Sequence, residues 1–200
     1  MMPASGQAAD KTVKIVVLGD SLSAGYGLPA NAAFPAKLGA ALKAKGIAAE
    51  VVNAGVSGDT ASGGLGRVDW SVPEGTDAVI LELGANDALR GIAPKVTQAA
   101  LDSILKKLTD RRIEVLLAGM QSPPNMGSDY ARSFGGLYTT LAEKYPVVFY
   151  PFFLDGVAAQ AKLNLADGIH PNAAGIDVIV ERIMPKVEEL IARVRAARAS

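Results

Sequence analysis

Short unbroken apolar runs punctuate the chain at intervals of a few tens of residues. Val13 to Leu18 (VKIVVL), Val51 to Asn53, Ala78 to Leu83 (AVILEL), Glu114 to Ala118 (EVLLA) and Val147 to Tyr150 (VVFY) are rich in β-branched residues and mostly apolar throughout. That is the signature of strands covered on both faces rather than of strands with one wet face. Between them apolar positions recur at helical spacing. Phe34, Leu38 and Leu42 stand four apart and Gly46 follows as a stop, while Val96, Ala100, Leu101, Ile104, Leu105 and Leu108 form a second stripe. A third helix is predicted over Ser128 to Lys144. A last one runs from about Asn172 to Arg195, with Ile176, Ile179, Val180, Ile183, Val187, Leu190 and Ile191 inward and Pro185 expected to kink it.

Strand followed by helix, repeated, predicts an α/β fold with a five-stranded parallel sheet and right-handed crossovers. The 200 residues, half of them apolar, suit one domain over 13–200 behind a flexible leader over 1–12. The leader, MMPASGQAAD, has neither a basic start nor an apolar core, so it is not an intact signal peptide. No apolar stretch approaches the roughly 18 residues of a membrane span.

Charge and composition narrow the chemistry. Twenty Lys plus Arg balance twenty Asp plus Glu, so no one-signed surface points to nucleic acid or an anionic membrane. A small neutral or apolar partner fits better. Cysteine is absent, which excludes thiol nucleophiles and cysteine-held zinc, and a single histidine argues against a protein-held zinc or copper ion.

Ligands of open parallel sheets bind outside the carboxyl ends of the strands. The loops there are GDSLSAGYG (Gly19 to Gly27), AGVSGDTASGG (Ala54 to Gly64) and GANDALRG (Gly84 to Gly91), all glycine-rich with small polar residues. A serine becomes a nucleophile when a base takes its proton, and His170 in DGIHPNAAG (Asp167 to Gly175) is the only imidazole available. Asp167, three residues earlier, can accept the other ring N–H, with Gly168 easing the turn between them. Ser21, directly after the first strand, is the leading nucleophile and Ser23 its rival. Oxyanion donors would come from three loops: the Ser21 N–H, the Gly58 N–H and the Asn86 side-chain amide.

Each feature has a plainer reading. DGIHP could be an Asp-Gly surface turn with His170 and Asn172 as caps, Gly58 a turn glycine and Asn86 an Asx-turn former. GYGLPA fits a loose phosphate-binding pattern, yet it does not sit directly between a strand and a helix, includes Pro29 and is followed by no Walker lysine. The G-x-S-x-G elbow of α/β-hydrolases occurs nowhere. A carboxylate pair of Asp20 and Asp87 lacks any spacing signal.

In order and spacing, GDSLSAGYG, VVNAGVSGDT, ELGANDALRG and DGIHPNAAG resemble the four blocks of the SGNH or GDSL hydrolases, most closely their bacterial thioesterases, lysophospholipases and arylesterases. The likeness runs from about Val13 to the last helix. It implies a three-layer α/β/α sandwich, flavodoxin-like, with strand order 2-1-3-4-5, no metal and no cofactor. It implies Ser21 as nucleophile, Asp167 and His170 completing a triad, and Ser21, Gly58 and Asn86 around the oxyanion. The implied activity is hydrolysis of acyl or aryl esters, with thioesters and lysophospholipids as further substrates. Two alternatives stand beside it: a carbohydrate O-acetyl esterase on the same frame, and a non-catalytic binder of small anions. The resemblance also implies a periplasmic or secreted enzyme, with a cytoplasmic one left open, and places the wall of the acyl pocket in Met120 to Gly136, read as a loop able to move. Nothing in the sequence sets the oligomeric state.

Overall fold

In a computed structural model the chain is described over residues 11–199. Residues 1–10 of the expected leader lie outside the described residues. Five strands form one sheet: β1 (Val13–Gly19), β2 (Ala49–Gly55), β3 (Ala78–Glu82), β4 (Glu114–Ala118) and β5 (Val148–Tyr150). Their order is β2-β1-β3-β4-β5 and all neighbours are parallel.

The unbroken apolar runs belong to the middle of this sheet. Ile15 to Leu18 of β1 and Ala78 to Leu81 of β3 are completely buried, because helices cover both faces. β2, at the edge, is only partly buried. It is longer than its apolar run suggests, since Ala49 and Glu50 pair with Val13 and Lys14 in the same ladder.

The helices are α1 (Ser21–Ala24), α2 (Phe34–Ala44), α3 (Ala61–Ser71), α4 (Ala85–Leu89), α5 (Pro94–Asp110), α6 (Ser128–Lys144) and α7 (Ala173–Ala199). α2 and α7 pack together on one face of the sheet, and α3, α5 and α6 on the other. This is the expected three-layer sandwich. Apolar side chains from every strand and from α2, α5, α6 and α7 meet in one core, where Phe34 and Phe153 pack edge to face at 5.0 Å.

Four expectations need correction. The stretch up to Gly64 reads as loop, yet α3 starts at Ala61. Gly63, Gly64 and Gly66 lower its helix propensity, and packing compensates: a Cβ on Gly64 would lie 2.3 Å from Leu83 Cδ1, so a larger residue there would displace the Leu83 side chain. Val96 belongs to the apolar stripe by spacing but is 49% exposed. The buried neighbour is Thr97, whose hydroxyl donates to Asp87 Oδ1 at 2.9 Å. In Met120 to Gly136 only the first part is loop, because α6 begins at Ser128. Finally, α7, with Pro185 inside it, runs on to Ala199 rather than ending near Arg195. Its apolar face, from Ile176 to Val194, stays on the core across the missing N–H of the proline. Arg198 near its end donates to the carbonyls of Lys11 and Thr12, tying the start of the described chain to its finish.

Candidate active site

The first loop turns sharply because its residues leave no other course. Asp20 accepts the Leu22 N–H at 3.0 Å, which starts α1 with Ser21 as its first residue, and Gly25 at φ 85° ends it one turn later. Ser21 therefore stands at the carboxyl end of β1. Ser23 points the other way, is fully buried, and donates its O–H to Glu82 Oε2 at 2.7 Å. It is thus no rival for the role of nucleophile.

The loop before α7 is closed on itself. Asn164 and Pro171 form an antiparallel bridge, Leu165 N–H donates to His170 O at 2.7 Å, and Gly168 takes a left-handed φ of 69°. Inside it, Asp167 Oδ1 accepts the N–H groups of Ile169 (2.9 Å) and His170 (3.0 Å), while Oδ2 lies 2.7 Å from His170 Nδ1. These two backbone bonds, with the imidazole after them, hold the Asp167 carboxyl down at about 2. An ionised Asp167 only accepts, so the imidazole proton sits on Nδ1 and the lone pair of Nε2 faces outward. It faces Ser21 Oγ, 2.9 Å away and 149 residues distant in sequence. The Tyr26 ring packs against the imidazole at 4.5 Å between centroids, tilted by 35°.

The second and third loops are tied to the first. Asn86, in α4, donates from Nδ2 to Asp59 O (2.9 Å) and to Asp20 Oδ2 (3.2 Å). Gly58 has φ 84° and its carbonyl accepts from Arg90 Nη2 at 2.8 Å. Among the described residues neither the Ser21 N–H nor the Gly58 N–H donates to a protein acceptor. Asn86 lines the same cavity as Ser21 and His170, whereas Gly58 lies outside that lining. Behind the loops, Arg67 is buried and donates to Gly19 O, Ala54 O, Ser71 Oγ and Asp59 Oδ2, fastening the ends of β1 and β2 to the second loop. The sequence gives no sign of this arginine, which stands in a glycine-rich stretch and reaches Gly19, 48 residues upstream, only in the folded chain.

Asp87 does not pair with Asp20 as a catalytic dyad. Its carboxylate is buried and spent on the Ala61 N–H and the Thr97 hydroxyl. Nor does any group of three or more His, Cys, Asp or Glu side chains converge on a metal-sized site among the described residues.

A cavity of about 470 Å³ opens beside Ser21 and His170. Its walls are mainly apolar, with Leu89, Met120, Pro123, Phe152, Leu154 and Ile169 prominent. Met120 to Pro124 contribute one side of it, the segment expected to form the acyl pocket. No helix among the described residues is long and apolar enough to cross a membrane.

The sequence profile of the GDSL-like lipase/acylhydrolase family matches residues 17–178. The chain belongs to that family. As a GDSL hydrolase it is similar to the esterase TesA of Pseudomonas aeruginosa, with 40% identity over 92% of this chain and 92% of that protein. It is similar also to an arylesterase of Vibrio mimicus, with 39% identity over 85% of this chain and 84% of the other. The crystal structure of TesA superposes with a TM-score of 0.84 at 39% identity, covering 88% of this chain and 99% of that one. This GDSL hydrolase is an enzyme that cleaves esters.

Proposed function

We propose that the enzyme is a serine esterase in which Ser21 is the nucleophile, His170 the general base and Asp167 the group that orients and steadies the imidazole. The observation that carries this reading is the hydrogen-bonded chain from Ser21 Oγ to His170 Nε2 and from His170 Nδ1 to Asp167. As Ser21 Oγ attacks the carbonyl carbon, its proton passes to Nε2 and the carbonyl oxygen becomes an oxyanion. The free Ser21 and Gly58 N–H groups and the Asn86 amide are its donors. Asn86 already spends both N–H bonds on Asp59 and Asp20, so it serves the oxyanion by exchanging one of them. Collapse of the intermediate, with the imidazolium protonating the leaving oxygen or sulfur, leaves an acyl group on Ser21. His170 then activates water to release the acid.

The apolar cavity favours short to medium acyl and aryl esters, with acyl-thioesters and lysophospholipids sharing the same chemistry. Such walls offer little to the hydroxyls of an acetylated sugar. We further infer that residues 13–200 act as one domain and that the enzyme works in the periplasm or outside the cell, as its resemblance implies. The decisive experiment is Ser21→Ala assayed on a p-nitrophenyl ester, alongside labelling with a serine-reactive phosphonate. Turnover should fall by about a thousandfold or more and the label should map to Ser21 in the parent enzyme. Full activity in the variant, or a label on another serine, would refute the assignment.

A further inference from the structure

The reaction leaves unused a completely buried acid next to it. Glu82 closes β3 and is completely buried. Its Oε2 accepts the Ser23 O–H at 2.7 Å and, more weakly, the Asp20 N–H at 3.4 Å. These two residues flank Ser21. Its Oε1 has no hydrogen-bond partner among the described residues. Gly19 makes room for this carboxyl, since a Cβ there would lie 2.6 Å from Glu82 Oε2.

The groups around Glu82 do not include a cation that could balance a negative charge on it. From the turn after β1 come Ser23 and the buried Asp20. From α3 comes Arg67, whose guanidinium is spent on Asp59, two carbonyls and Ser71. From α6 comes Tyr138, which donates its O–H to Leu83 O at 2.9 Å. From α4 comes Asp87, engaged by Thr97 and Ala61. His170 lies on the far side of Ser21, bonded to Asp167. A buried anion with one unpartnered oxygen and an acidic neighbour is far costlier than the neutral acid in the same place.

We propose that Glu82 is a positioning residue for the nucleophile, an uncharged carboxylic acid that locks the turn from Asp20 to Ser23 onto the end of β3. The proposal rests on Ser21 being the nucleophile. Burial pushes the Glu82 carboxyl well above the ordinary glutamate range, and the nearby Asp20 charge adds to this. Asp20 is itself raised by burial to about 6, held from rising further by the Leu22 N–H, His170 and Asn86. Of the two acids, Glu82 therefore keeps its proton at neutral pH and Asp20 releases its own. The site then carries one negative charge behind Ser21 rather than two, and Oε2 remains an acceptor for Ser23.

The test compares full-length wild type with Glu82→Gln, Glu82→Leu and Ser23→Ala, using p-nitrophenyl butyrate kinetics, thermal melting and infrared spectroscopy of protein carrying 13C-glutamate. At pH 7 the wild type should show a carboxylic-acid C=O band that is missing from Glu82→Gln. The glutamine, neutral and of the same shape, should keep kcat within about threefold, whereas Glu82→Leu and Ser23→Ala should lose roughly tenfold to a hundredfold in kcat with KM little changed. A missing acid band, a folded glutamine variant as slow as the leucine variant, or an unimpaired Ser23→Ala would overturn the proposal. Ser23→Ala keeps the test open if Glu82→Leu does not fold. Phosphonate labelling of the wild type separates the two readings: a label away from Ser21 refutes the nucleophile itself, whatever the infrared band shows.

Discussion

Replacing Asp167 by asparagine exchanges one oxygen for an amide nitrogen at nearly constant volume, and the surrounding bonds dictate which way the new side chain faces. The N–H groups of Ile169 and His170 both point at Oδ1, so the asparagine oxygen takes that place and its NH2 falls where Oδ2 was, 2.7 Å from His170 Nδ1. Nδ1 must then accept, the ring proton moves to Nε2, and the lone pair that takes the Ser21 proton disappears. A misprotonated triad with a buried aspartate loses about 10⁴-fold in kcat. Here the Asp167 side chain is 36% exposed, and water softens the constraint. The expected loss is roughly 10²–10³-fold in kcat, with KM little changed and the melting curve preserved. Asp167→Ala imposes no wrong tautomer and should be faster than Asp167→Asn. Steady-state kinetics on p-nitrophenyl butyrate decide the matter: wild-type kcat in the asparagine variant, or an alanine variant slower than it, refutes the argument. The same bonds set the acid behaviour. With its carboxyl lowered from 3.8 to about 2, Asp167 contributes in full above the ordinary aspartate value and is lost only as pH falls through about 2. Protonation of Asp167 therefore contributes nothing to any fall in kcat/KM at mildly acid pH.

Three further outcomes follow from the geometry. Asn86→Ala should lower kcat by about 10²–10³-fold with a small change in KM, because it deletes a proposed oxyanion donor; stopped-flow measurement of acylation would show the defect in the first step. Gly55→Ala would place a Cβ 2.4 Å from the Ala24 backbone nitrogen and 2.9 Å from Asp20 O, forcing α1 outward. Denaturant unfolding should record a loss of about 1–3 kcal/mol, and activity should fall with it. Phe152→Ala should widen the cavity, raising KM for aryl esters by about tenfold and shifting the acyl-chain profile, measured from acetyl to palmitoyl, toward longer chains.

Much of this fold is written in local patterns. The strands of the sheet centre are legible because complete burial demands an unbroken apolar run, as in Ile15 to Leu18. Helices α2 and α5 are legible because each shows one apolar stripe. α3 is hidden because its glycines lower helix propensity, and the close approach of Gly64 to Leu83 is revealed only by tertiary structure. Thr97 defeats the pattern for a similar reason, its hydroxyl being buried against Asp87 rather than against water. Ser21, Asp167 and His170 can be picked out because the chemistry needs those residue types and the chain has a single imidazole. Glu82 cannot, since a glutamate near the end of AVILEL looks like a strand reaching water. Its partners lie about sixty residues upstream, at separations of 62 and 59.

The bridge between Asn164 and Pro171 makes the histidine loop a clip that needs little beyond itself to hold the imidazole against its carboxylate. Only the last step, seating that clip over a serine from the opposite end of the chain, requires the sheet and α7 to be in place. Catalysis thus reports on the late docking of the chain's two ends rather than on the formation of helices and strands. During refolding, recovery of hydrolysis should lag behind recovery of far-ultraviolet circular dichroism.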